Sequence, residues 1–79
     1  STNRDFKQAI KWLLDAEKLN PQNFHYPNLR QKIASENKDY ASAIEAAKRA
    51  VSLADKEKMK KTIETLNNKI ASWELLLKK

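Results

Sequence analysis

An all-α fold, an antiparallel array of about four helices, is the expectation that three observations on this sequence support. The 79 residues include no glycine and two prolines, with 41% hydrophobic and 33% charged residues, the profile of a helical protein in water rather than of a strand-rich fold with glycine turns. Apolar residues recur three and four positions apart through most of the chain, the period of a helix with one buried face. Residues 39–54, DYASAIEAAKRAVSLA, rework residues 5–20, DFKQAIKWLLDAEKLN, 34 residues earlier; five of the 16 aligned positions are identical and a sixth, Phe6 against Tyr40, is aromatic in both.

The first helix is predicted from about Asp5 to Leu19, with Phe6, Ala9, Ile10, Leu13, Leu14, Ala16 and Leu19 as its apolar face. Asn3 is the expected N-cap, and the helix stops at Asn20 because the residue before Pro21 is pushed out of helical geometry. The second runs over about 25–37, with Phe24, Tyr26, Leu29 and Ile33 at helical spacing and Pro27 admissible in its first turn. A turn without glycine follows, in which Asn37 is expected to take the left-handed conformation. The third helix starts at Asp39 and runs to about Ala54 on an alanine-rich face that lets a neighbour approach closely. Asp55 is read as the cap of a fourth helix, along which Met59, Leu66 and Trp73 alternate with Ile63, Ile70 and Leu77 in a heptad stripe. A single continuous helix over 39–78 is the competing reading.

A chain of this length is one small domain or a piece of a larger array, and buries only about 60% of its unfolded surface. With no cysteine, no disulfide or thiolate metal site can reinforce so thin a core. No apolar run reaches the roughly 20 residues that span a bilayer, so no membrane insertion is expected. The formal charge is +6, enough to favour loose contact with polyanions. Lys56, Lys58, Lys60 and Lys61 form the one basic cluster and are read as a solvated helix face; without interleaved arginines and aromatics, nucleic-acid binding is the third-ranked function.

Nothing in the chain suggests catalysis. A phosphate-cradling loop needs glycine, a thiol nucleophile needs cysteine, and Ser35, Ser42, Ser52 and Ser72 have no evident base partner. His25 is the sole histidine, and a metal site needs several convergent donors. No cofactor and no metal are expected. Trp73 continues the stripe of the fourth helix and is read as packing, whereas Trp12 lies at the edge of its stripe, free to touch the last helix, an adjoining repeat or a partner.

A 34-residue echo built from helix pairs is the spacing of one family, and the chain resembles the tetratricopeptide repeat. The family's second helix carries an aromatic, a small residue, a bulky one, an alanine and a proline. Phe6, Ala9, Leu13, Ala16 and Pro21 match it, and Tyr40, Ala43, Ala47, Ala50 and Asp55 match it without the bulky residue and the proline. In the first helix Tyr26, Leu29, Arg30 and Ile33 take the signature places, with Arg30 where the family prefers a small residue and Lys38 near its turn glycine. Met59, Ile63 and Leu66 take equivalent places in the fourth helix. The resemblance implies a half repeat, one whole repeat and a long C-terminal capping helix. It also implies a peptide-binding or protein-binding groove lined by His25, Asn28, Lys32, Ser35 and Glu36. In relatives that hold carboxylate-terminated peptides, asparagine and lysine in this groove bind the carboxylate; a full clamp needs further basic residues from neighbouring repeats.

Two functions follow as expectations: a protein-interaction scaffold acting through that groove, and, as the alternative, a structural domain that forms a homodimer through Met59, Ile63, Leu66, Ile70, Trp73 and Leu77. The partner is a protein or peptide of unknown identity. Residues 52–74, SLADKEKMKKTIETLNNKIASWE, resemble the helical tail of some exported bacterial proteins of unknown function, a resemblance that only tilts localisation; the expectation is a soluble chain of unknown localisation, cytoplasmic or exported (periplasmic), as part of a larger bacterial protein.

Overall fold

The computed structural model describes the backbone of residues 2–79 and the side chains from Asp5 onward. Four helices follow one another, α1 (Thr2–Leu19), α2 (His25–Glu36), α3 (Tyr40–Leu53) and α4 (Lys60–Leu77), with no strand among the described residues. Helix α1 therefore begins before Asp5, and Asn3, expected as its N-cap, lies inside the helix. At its other end the Asn20 N–H closes on Ala16 O at 2.9 Å before Pro21 stops the helix.

The three connections have distinct chemistry. Ahead of α2 the cap position, Phe24, offers no side-chain acceptor, and Asn23 supplies it instead, its Oδ1 accepting the His25 N–H at 2.9 Å. Pro27, in the first turn, is fully buried. Between α2 and α3 the left-handed residue is Lys38, at φ 61°, and not Asn37. The reason is a Schellman closure: Asp39 N donates to Ala34 O at 2.9 Å and Lys38 N to Ser35 O at 3.0 Å, which requires the residue after the cap to reverse the chain. Asn37 stays near helical geometry and donates its own Nδ2 to Ile33 O at 2.9 Å. Asp39 then caps α3, accepting from Ser42 N at 3.2 Å.

Helices α3 and α4 are separate. Ala54 is extended, with ψ 142°, and the Asp55 carboxylate accepts the N–H groups of Glu57 and Lys58 at 2.9 and 3.0 Å. Asp55 thus caps a single turn, and α4 starts five residues later, behind Met59, which offers no side-chain cap. The backbone N–H of Lys58, and then that of Glu57, holds the Asp55 carboxyl below its usual range.

Each helix packs only against its neighbours in sequence, and the Cα atoms fit in 40 × 35 × 14 Å, one layer of helices. The core lies on both sides of α3: Ala43, Ala46, Ala47 and Ala50 have no exposed surface, and Ala34 from α2 joins Leu66, Ile70 and Trp73 from α4 around them. Alanines lower the cost of close approach but bury little area each, about 25 cal/mol per Å². The edge helix α1 has one neighbour, which is why Leu14 and Leu19, expected on its buried face, are exposed.

One polar knot ties this layer together. The Arg30 side chain on α2 is 4% exposed. Its Nε and Nη2 donate to the Glu17 carboxylate of α1 at 2.6 and 2.9 Å. Its Nη1 and Nη2 donate to Glu45 of α3 at 2.7 and 3.2 Å. Burial works against the guanidinium charge, but the hydrogen bonds it donates to Glu17 and then to Glu45 outweigh it and raise its pKa above the ordinary value. Arg30 thus closes a clamp over three helices. On the far side Arg49 Nη2 donates to Pro21 O at 2.7 Å, fastening the first loop to α3.

Two outcomes are expected. Arg30→Ala leaves Glu17 half-buried without a partner and should lower the unfolding free energy in urea by about 3 kcal/mol, whereas the pair Arg30→Met with Glu17→Leu should recover most of it; equal losses in both would show that the hydrogen bonds themselves, and not relief of a stranded charge, carry the contribution. Because the folded state holds Asp55 below its ordinary value of 3.8, its contribution is complete above that pH and fades as the pH falls through the lower folded-state value. Amide exchange at Glu57 and Lys58, followed from neutral pH downward, should lose protection there in the native chain and lack the step in Asp55→Ala.

Candidate functional site

Because α2, α3 and α4 alternate in direction, α2 and α4 run parallel on either side of α3. Between them opens a groove of about 480 Å³ lined by His25, Asn28, Leu29, Gln31 and Lys32 from α2 and by Lys61, Thr62, Thr65, Leu66 and Lys69 from α4. Two of these are apolar, Leu29 largely exposed and Leu66 buried at 2%; the rest are amides, hydroxyls, one imidazole and three lysines.

The electrostatics are one-sided. No carboxylate lines the groove, and Lys32, Lys61 and Lys69 enter no ion pair among the described residues. Parallel helices also place their N-terminal ends together, and each N-terminus acts as roughly half a positive charge. Neither α2 nor α4 has an acidic residue in its first turn. Helix α4 instead starts with Lys60 and Lys61, a placement that the helix dipole disfavours, and the groove is therefore positive along its length and most so at the end near His25 and Lys61.

Gln31 stands out in this lining. It is 3% exposed. Its Nε2 donates to Asn28 Oδ1 at 3.2 Å, while its Oε1 is buried without a hydrogen-bond partner. Exchanging the amide's oxygen and nitrogen would leave the other half unpaired, so the deficit does not depend on that assignment. The Asn28 Nδ2 donates to no group among the described residues.

Of the residues expected in the groove, the structure places His25, Asn28 and Lys32 in its wall. His25 is exposed, its ring edge-on to Phe24 at 5.8 Å. Ser35 turns its hydroxyl back to Lys32 O at 3.0 Å and Glu36 is exposed at the end of α2; neither lines the groove. Leu29, Gln31 and the whole α4 wall were not expected there. Lys61, Thr65 and Lys69 recur four apart beside the apolar stripe, a readable signal, but which neighbour that polar row faces is decided only by packing. Lys56, from the same basic cluster, turns away and donates to Val51 O at 2.6 Å.

The heptad stripe divides. Leu66, Ile70 and Trp73 are buried in the core against α3, Met59 and Ile63 are half-buried, and Leu77 is 54% exposed. Leu77 borders a second hollow with Ala41, Ile44, Glu74 and Lys78. Trp12 is 68% exposed, and α1 does not reach α4, so the last helix is not its neighbour. Among the described residues no three His, Cys, Asp or Glu side chains converge on a point, and no helix is long and apolar enough to cross a membrane. Compared with protein-family models, curated proteins and solved structures, the chain matches none of them.

A buried acceptor without a donor costs about 1 kcal/mol or more. Gln31→Met, of similar length and fully apolar, should therefore leave thermal and urea unfolding unchanged or stabilise the chain by about 1 kcal/mol; a clear loss of stability would make Gln31 a structural residue.

Proposed function

We infer that the chain is a non-catalytic protein-binding module, a short stack of helices resembling tetratricopeptide repeats, whose α2–α4 groove takes a peptide segment of a partner protein. The observation that carries this reading is the groove itself: open, lined from two helices, rich in unpaired cations and free of carboxylates. A structural surface of this kind would gain by pairing its lysines, as Lys11 and Lys48 are paired with Asp15 and Glu74 elsewhere. Packing of each helix only against its sequence neighbours supports the repeat reading, since a stacked array is held by nearest-neighbour interfaces. The α4 stripe supports a closing role for that helix, because three of its six residues are already covered by α3.

Selection of displayed peptides on the intact chain tests this. Enriched peptides should shift the backbone amides of α2 and the first half of α4, and Lys32→Glu should weaken them about tenfold, about 1.4 kcal/mol, with the unfolding midpoint unchanged. Enriched peptides with affinity indifferent to Lys32→Glu would remove the groove from consideration.

A further inference from the structure

We propose that the α2–α4 groove is selective for an acidic, extended internal peptide segment, with the coupled carboxamides of Asn28 and Gln31 reading one peptide unit between two acidic side chains. This deepens the groove reading above and rests on it.

The amide pair carries the first half of the inference. Gln31 Nε2 and Asn28 Oδ1 satisfy one another at 3.2 Å. What remains is one donor, Asn28 Nδ2, and one acceptor, Gln31 Oε1, the latter buried and unpaired. A peptide unit offers the complement, one C=O and one N–H. A terminal carboxylate or a phosphate offers acceptors alone and would satisfy only the donor of the pair, whichever amide carries it. The terminal torsion of a glutamine is broad, so a partial turn brings Oε1 toward a bound N–H while lengthening the 3.2 Å contact to Asn28.

The lysines carry the second half. Lys61 and Lys69 are eight residues apart on α4, about 12 Å at 1.5 Å per residue. An extended chain advances about 3.3 Å per residue and repeats its facing every second one, so side chains at i and i+4 lie about 13 Å apart on one face. Acidic residues at those positions meet Lys61 and Lys69 together, with Lys32 across the groove. Leu29 and Leu66 give the methylene stems an apolar bed. Duplex nucleic acid also answers the charge, but its phosphates only accept and leave the acceptor half of the amide pair bare.

The test titrates the intact chain with a peptide of about twelve residues, alternating glutamate and alanine, acetylated and amidated so that no terminal carboxylate is present. Controls are the same peptide with lysine for glutamate and a short DNA duplex at equal ionic strength. Expected are shifts at the side-chain amides of Asn28 and Gln31, no response to the basic peptide, and binding at least about tenfold weaker in Gln31→Met and in Asn28→Ala, both checked for unchanged unfolding. Groove binding that ignores both substitutions, or equal binding of the basic peptide, overturns this inference and leaves the groove reading standing. Tighter binding of the duplex at the same resonances makes the ligand a polyanion and overturns it too. Shifts confined to residues outside α2 and α4 would overturn the inference and the groove reading together.

Discussion

Three of the four helices in this layer meet at the Arg30 guanidinium. It sits on α2, is almost wholly withdrawn from water, and divides its donors between Glu17 on α1 and Glu45 on α3. Buried charges cost several kcal/mol each unless geometry and hydrogen bonding are good; here four donor–acceptor contacts between 2.6 and 3.2 Å meet that condition. The clamp is directional where apolar contact is not, and it holds the edge helix α1, which has only one neighbouring helix and an otherwise modest apolar contact.

That dependence follows from how little the core can do. Alanine lines α3 on both flanks, so the helices approach closely but bury small side chains, and Pro27 is the largest side chain completely enclosed among the described residues. A single layer has no second set of helices to cover the outer faces, which leaves Trp12, Leu19 and Leu75 exposed. The groove arises from the same geometry. With α3 drawn in between two walls, the backbones of α2 and α4 stand apart, and a groove opens between them.

Local rules fail in this chain at two kinds of place. Lys38 takes the left-handed geometry that favours glycine because the chain must reverse there within three residues, and the Schellman hydrogen bonds offset the strain of about 1 kcal/mol. Lys61 in the first turn of α4 has no such local compensation, nor has Gln31 in the facing wall. Departures of that second kind are where function is expected to override stability, and they lie along one groove.

Much of the fold was legible from residues alone. The period of three and four, Pro21 and the Asp39 cap place the helices to within a few residues, and the stripe of α4 names Leu66, Ile70 and Trp73 as its packing face. Those are properties of single segments, set by backbone sterics and by the sidedness of one helix. The site was legible only in its α2 half, through His25, Asn28 and Lys32. Which polar row of α4 faces α2, that Arg30 turns to two carboxylates 13 and 15 residues away, and that Gln31 is left with a bare acceptor all depend on how the helices rotate and space against one another. Sequence periodicity determines which face of a helix is buried; only tertiary packing decides what that face, and the ones beside it, are set against.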